Sequence, residues 1–218
     1  NDFLVAPIVT QHDTASPPTP PVRDVYLPAG SQWYAFKNNS YPLDAPVNGG
    51  TLIQNWYAPL TGTPLFQVPM YVRAGSILPM RDPGQQSIEP DQAVPITFNV
   101  YPGADNSFDL YLDDGISANP APFRHVRISH TGIAGGQQVR VQRIVDNYTP
   151  PETFYYISIL GTNPPVSVSA AGQPLQNAGN AGALSASGSN AYYYNAGLKQ
   201  TFIKIIDNTA DITINAVY

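Results

Sequence analysis

A chain of 218 residues makes one large domain or two modest ones, and 43% hydrophobic residues are enough to build a buried core. Only 11% of residues are charged, against a norm of roughly 25%, and the formal net charge is −5, which excludes helical bundles, coiled coils and basic nucleic-acid binders. Pro (23), Gly (17), Tyr (14) and Phe (8) together describe a turn-rich all-β protein rather than a disordered one.

The chain opens on Phe3-Leu4-Val5-Ala6-Pro7-Ile8-Val9, apolar on both faces as a strand buried between two layers would be. A start inside a buried strand, without a polar lead-in, predicts a piece of something longer. This longest apolar run is far short of the roughly 20 residues that span a bilayer, so no membrane partner is expected. Residues 11–21 read as a loop, because Pro17, Pro18, Pro20 and Pro21 suit neither a helix nor a central strand. Strand-like runs follow at 23–27, 32–36, 51–57, 65–72 and 76–80. Pro28-Ala29-Gly30, Asn48-Gly49-Gly50 and Gly62 mark turns between them. Residues 81–92 turn polar, with Pro83-Gly84 and Glu89-Pro90-Asp91, and read as an interdomain connection.

The second half alternates more cleanly. Val94, Ile96, Phe98 and Val100 share one strand face, as do Phe108, Leu110 and Leu112 before the tight turn Asp113-Asp114-Gly115. Val139, Val141 and Val145 share a face, and so do Tyr155, Ile157 and Ile159. Further strand-like runs lie at 166–170, 191–195, 200–206 and 211–217, while residues 172–190 read as long loops. No segment has a 3.6-residue apolar period. Many short strands with frequent turns predict sandwiches or barrels, and the two halves predict two of them.

Few residues suggest chemistry. With no cysteine, disulfides and thiolate metal sites are excluded. His12-Asp13 could serve catalysis, but a general base also needs an orienting partner and a pocket, and the local sequence names neither. His125 and His130 are an odd number of residues apart on a strand, hence on opposite faces, which argues against a shared metal. Adjacent Asp113 and Asp114 point apart, unlike a glycosidase pair, and read as a hairpin corner. Arg124, Arg127, Arg140 and Arg143 read as a solvated strand face, and Trp33, Tyr34, Trp56 and Tyr57 as core rather than a sugar-stacking platform. No catalytic residue, metal or cofactor site is assigned. The sequons Asn38-Asn39-Ser40 and Asn147-Tyr148-Thr149 become glycosylation sites if the parent is secreted.

Taken in order, several segments resemble a known family. Phe3-Leu4-Val5-Ala6-Pro7-Ile8-Val9 precedes Val25-Tyr26-Leu27-Pro28-Ala29-Gly30 and Trp33-Tyr34-Ala35-Phe36. Gly49-Gly50, Ala58-Pro59-Leu60 and Pro69-Met70-Tyr71-Val72-Arg73-Ala74-Gly75-Ser76-Ile77-Leu78-Pro79-Met80 come next. Tyr101-Pro102-Gly103 then leads to Phe108-Asp109-Leu110-Tyr111-Leu112-Asp113-Asp114-Gly115. This order resembles the tail of glycoside hydrolase family 31, the α-glucosidase, α-xylosidase and α-1,4-glucan lyase group, over residues 3–117.

The resemblance implies an all-β C-terminal fragment of a larger (β/α)8-barrel enzyme, with a proximal β-sandwich at 1–85 and a distal one at 86–218. It implies that the catalytic barrel, with its two aspartates, lies outside this chain and is its partner, so that the chain alone is inactive. The implied substrate, met through the parent, is an α-1,4-linked glucan such as starch, glycogen or maltooligosaccharides. The proline-rich loop with Gln11-His12-Asp13 resembles the α-1,4-glucan lyase branch. An independent carbohydrate-binding module is the alternative, and it requires solvent-facing Trp33 or Trp56. Secreted and organellar locations are both compatible with the sequence.

Overall fold

A computed structural model describes residues 2–8, 22–37, 41–57, 68–81, 93–117 and 122–218. Almost all of their regular structure is strand. The chain divides into two units, Asn1–Ala74 and Gly75–Tyr218. This division falls ahead of the residue 85 expected from the resemblance. The reason is that Ile77–Met80 pairs with Thr97–Val100 and so belongs to the second unit's sheet. The polar connection lies, from residue 82 to 92, outside the described residues.

The first unit contains β1 (Phe3–Val5), β2 (Val22–Tyr26), β3 (Gln32–Ala35), β4 (Val47–Asn48), β5 (Leu52–Tyr57) and β6 (Met70–Arg73). A four-stranded sheet runs β1-β6-β3-β4, and β2 with β5 makes a two-stranded ribbon. Val25 and Leu27 from the ribbon side pack with Trp33 and Tyr71 of the sheet, and Leu4, Ile53 and Trp56 close around them. The ribbon carries an irregularity between Arg23 and Val25, where Asn55 adopts a left-handed φ of 52°. Its N–H turns to the Asp24 carboxylate at 2.8 Å, which satisfies a donor that the ladder no longer pairs.

The opening strand is shorter and more exposed than its apolar sequence predicts. It ends at Val5, because Pro7 has no N–H to continue the ladder, although Ala6 N still donates to Pro69 O. As an edge strand it buries Leu4 partly and leaves Phe3 37% and Val5 50% exposed. Phe3 meets Phe36 edge to face, with centroids 5.2 Å apart.

The second unit contains β7 (Ile77–Met80), β8 (Thr97–Val100), β9 (Asn106–Asp113), β10 (Phe123–Ile133), β11 (Gly136–Asp146), β12 (Phe154–Leu160) and β13 (Ser167–Ala170). After β14 (Gln173–Pro174) and β15 (Gln176–Asn177) come α1 (Ala181–Ala186), β16 (Ala191–Asn195), β17 (Gln200–Ile206) and β18 (Asp211–Val217). They form two six-stranded sheets, β14-β13-β18-β11-β10-β9 and β15-β16-β17-β12-β8-β7. Pairing is antiparallel except for β12 with β8 and β15 with β16. The alternating residues read from the sequence, Val139 and Val141 from one sheet and Phe98, Ile157 and Ile159 from the other, meet between the sheets, where Val126, Ile128, Ile203 and Ile214 join them. Each such side chain contributes about 1.5–3 kcal/mol by leaving water.

Residues 172–190 hold more structure than the expected loops. The short helix α1 starts at Asn180, whose Oδ1 accepts from Ala183 N at 2.9 Å. It buries only Leu184, which is why no apolar period announces it. Its far end is held by the buried Lys204, whose ammonium donates to Ser185 O and Ser187 O at 2.7 Å each. The same ammonium lies 4.1 Å from the centre of the Phe154 ring.

Candidate functional site

The densest polar constellation is at one end of the second unit. Arg124, near the start of β10, has the same strand parity as Val126 and Ile128, and its side chain points inward with them. Arg143, near the end of β11, shares parity with Val139 and Val141. Pairing of β10 with β11 skips Ile144, so that Val126 faces Arg143, His125 faces Val145 and Arg124 faces Asp146. This irregularity brings Arg143 Nη1 within 2.9 Å of Asp146 Oδ2.

Asp207, just after β17, completes a closed ring of charge. Arg124 reaches Asp146 at 2.6 Å and Asp207 at 2.7 Å. Arg143 reaches the same two carboxylates at 2.9 and 2.8 Å. Burial pulls the Asp146 carboxyl upward, but the Arg124 hydrogen bond and both guanidinium charges outweigh it and hold it below the usual carboxylate value. Burial drives the neighbouring Tyr155 hydroxyl far up, with the Asp207 charge adding to the effect. The adjoining cavity is about 40 Å³, room for water and much less than a substrate site of roughly 300 Å³ or more needs. Two cations balance two anions within the ring, and Glu152, which lines the same cavity, is paired with Arg81 at 2.9 Å. The ring is a clasp between sheets.

The expectation that all four arginines form a solvated face is therefore corrected. Arg127 and Arg140 do sit outside, paired with Asp109 and Asp211. Arg124 is 5% exposed and Arg143 is largely enclosed, because both fall on the inward parity of their strands. Strand parity was the signal that the sequence held for this. The carboxylate of Asp207, 83 residues from Arg124, had no local signal.

The two histidines separate as their spacing requires. His125 faces outward, with Nε2 3.1 Å from Asp109 Oδ1. His130 is buried, and its Nε2 lies 2.6 Å from Gly75 O while Nδ1 lies 2.6 Å from the Gln137 amide nitrogen. The tautomer with its proton on Nε2 donates to the carbonyl and accepts from the amide. The aspartates of the tight turn face backbone donors rather than each other. Asp113 accepts from Gly115 N, and Asp114 accepts from Ile116 N, Ser117 N and the Ser117 hydroxyl. Those bonds, led by the hydroxyl's, lower the Asp114 carboxyl.

Trp33 is 4% exposed, and its Nε1–H donates to Pro28 O at 2.9 Å. Tyr34 is also buried, and Trp56 packs partly buried against the same core. Asn147 is exposed just beyond β11. His12-Asp13, Asn38 and the Tyr57 side chain lie outside the described residues. Among the described residues, no group of three His, Cys, Asp or Glu side chains could hold a metal ion, and no helix is long and apolar enough to cross a membrane.

With this geometry in view, the relatives are informative. Residues 1–78 match the family model described as the glycosyl hydrolase family 31 C-terminal domain. An alpha-xylosidase of Saccharolobus solfataricus is 32% identical over 95 residues, 44% of this chain and 11% of that protein. An alpha-glucosidase of Aspergillus niger is 31% identical over 128 residues, 57% of this chain and 12% of that protein. Among solved structures, the GH31 dextranase of Flavobacterium johnsoniae complexed with glucose superposes with a TM-score of 0.82 at 27% identity. That match takes in 100% of this chain and 26% of the dextranase. The chain thus spans about a tenth of its curated relatives and a quarter of that structure.

Proposed function

We propose that this chain, which carries a C-terminal domain of glycoside hydrolase family 31, is the non-catalytic accessory region of an enzyme that processes α-1,4-glucans. The observation that carries this reading is the burial of Trp33, with its indole N–H used inside the fold. A binding module that works through Trp33 needs it solvent-facing; here it serves as core. The only dense charge cluster among the described residues is self-neutralised around a cavity of about 40 Å³, which supports the same conclusion. The partner is then a catalytic barrel in the same parent chain, and the glucan is met through that barrel.

Two reactions fit such a parent. A retaining α-glucosidase and an α-1,4-glucan lyase share the formation of a covalent glycosyl-enzyme on a carboxylate. The hydrolase completes the cycle with water at the anomeric carbon. The lyase removes the proton at the adjacent carbon and releases an anhydro sugar. Similarity to the Aspergillus niger alpha-glucosidase supports the first. The lyase reading rests on the proline-rich loop 11–21. Mass spectrometry of the parent's products from maltose tests both: one product lighter by a water identifies the lyase, and two glucoses identify the hydrolase. A parent that leaves maltose intact and cleaves another linkage overturns the α-1,4 assignment.

A further inference from the structure

The turn after β4 carries the only Asn-Gly step in the sequence, Asn48-Gly49. Packing imposes its glycine: a Cβ at position 49 would run into Pro28 O and Ser31 O, so the neighbouring turn leaves room for no side chain. Asn48 itself is exposed, and water reaches its carboxamide. A glycine amide has no side chain to shield it, so the backbone nitrogen of such a step approaches the preceding carboxamide more easily than any other.

The fold holds the two reacting atoms apart. Asn48 pairs with Gln32 across β3 and β4, and its Oδ1 accepts from Gln32 Nε2 at 3.1 Å. Gly49 N donates to Ser31 O at 2.7 Å, and Gly50 N donates to Leu27 O at 2.7 Å. A five-membered ring needs Cγ, Cβ, Cα, C and the Gly49 nitrogen nearly coplanar, and the extended backbone of a strand turns that nitrogen out of the plane. Ring closure therefore requires β4 to leave β3 and Gly49 to release Ser31. That opening is local, because β4 is two residues long and ends its sheet.

We propose that Asn48 is a site of spontaneous deamidation, gated by the opening of β4. In the opened turn the deprotonated Gly49 nitrogen attacks Asn48 Cγ. A C–N bond closes a succinimide, and the Cγ–Nδ2 bond breaks to release ammonia. Water then adds to one of the two ring carbonyls, and the bond from that carbon to the Gly49 nitrogen breaks. Addition at Cγ gives aspartate; addition at the main-chain carbonyl gives isoaspartate, whose backbone runs through Cγ and is one carbon longer. One water enters, one ammonia leaves, and nothing is oxidised or reduced. The aspartyl chain keeps its length and its acceptor for Gln32. The isoaspartyl chain no longer fits the register of β4 on β3, so the turn stays open.

The test is peptide mapping by mass spectrometry of the full chain aged in mildly alkaline buffer, with and without denaturing urea. In urea the peptide holding Asn48 gains one mass unit before any other asparagine peptide does. In native buffer the same gain is roughly tenfold slower or more, because the opened turn is a minor state. Gln32→Ala removes a bond from an exposed side chain, and speeds the native reaction several-fold while leaving the rate in urea unchanged. Below the unfolding transition, rising urea accelerates deamidation and hydrogen exchange of the Gly49 amide in parallel. Equal rates in native buffer and in urea overturn the proposal, as does earlier modification of another asparagine in urea. It is also overturned if Gln32→Ala leaves the native rate unchanged, or if Gly49 exchange rises while deamidation stays flat.

Discussion

Arg124 and Arg143, on neighbouring strands of one sheet, each bind both Asp146 and Asp207, so that two guanidinium groups share the same pair of carboxylates. Asp207 follows a strand of the opposite sheet. The ring therefore ties the two layers of the second unit together at one end.

Truncating a corner of this ring should cost far more than truncating an outer pair. Arg124→Met leaves Asp207 largely enclosed and short of a partner, and urea unfolding should show a loss of about 3 kcal/mol. Arg127→Met breaks a half-exposed pair with Asp109 that solvent already screens, and should shift the unfolding midpoint far less. Equal losses would mean that the ring contributes nothing beyond surface charge pairing.

Acid should weaken the fold through the same carboxylates. Asp146, although burial opposes it, is held by Arg124 and Arg143 below its unfolded value of about 3.9. A depressed carboxyl contributes fully above the unfolded value, and the contribution disappears as pH falls through the folded one. Asp109, through the Arg127 hydrogen bond, and Asp211, through that of Arg140, act in the same direction from exposed positions. Urea midpoints should decline as pH drops below about 4, and Asp146→Asn should flatten that decline. An unaltered slope would show that Asp146 titrates alike in both states.

Trp33 should report on stability and not on sugar. Trp33→Ala opens the core of the first unit and should cost about 3–5 kcal/mol. Trp33→Phe removes the N–H that Pro28 O accepts and should cost about 1 kcal/mol beyond the lost ring area. Calorimetry with maltooligosaccharides should give the same weak heats for the parent sequence and the Phe variant. A loss of binding on Trp33→Phe would revive the reading of this region as a binding module.

At Gly75 the backbone has φ +82°, and a Cβ would stand 2.4 Å from Ala104 O. Gly75→Ala should destabilise the second unit by about 2 kcal/mol or more, because left-handed strain and a backbone clash add. Gly115 has φ +67° with nothing within 4 Å of the added methyl, so Gly115→Ala isolates the strain at about 1 kcal/mol. Equal unfolding midpoints for the two variants would remove the clash from this account.

The apolar outer residues of β1 should make the chain self-associate when it stands alone. Phe3 and Val5 are exposed on an edge strand, a template for pairing with a second copy. Light scattering should find dimers or larger species at high concentration, and Val5→Lys should return monomers. A monomeric parent sequence at the same concentration would show that the edge is already blunted.

Much of the second unit was readable in the chain because strand alternation is a local property. Ile96 and Phe98, Val139 and Val141, Tyr155 and Ile157 advertise a face within a few residues, and the turn at Asp113-Asp114-Gly115 needs only its own side chains. Helix α1 was not readable, since a single buried leucine sets no period. The limits of the opening strand depended on which neighbour supplied its ladder, and its edge position left exposed two residues that composition alone assigns to a core.

The sequence by itself thus determined the strand-rich class and most of the inward-facing residues, because both follow from the pleat repeating every two residues. Only the tertiary structure decided that Arg124 and Arg143 belong inside, because a buried cation is tolerated only where a carboxylate meets it. Asp207 does so from the opposite sheet, 83 residues along the chain from Arg124, and no local pattern carries a distance of that kind.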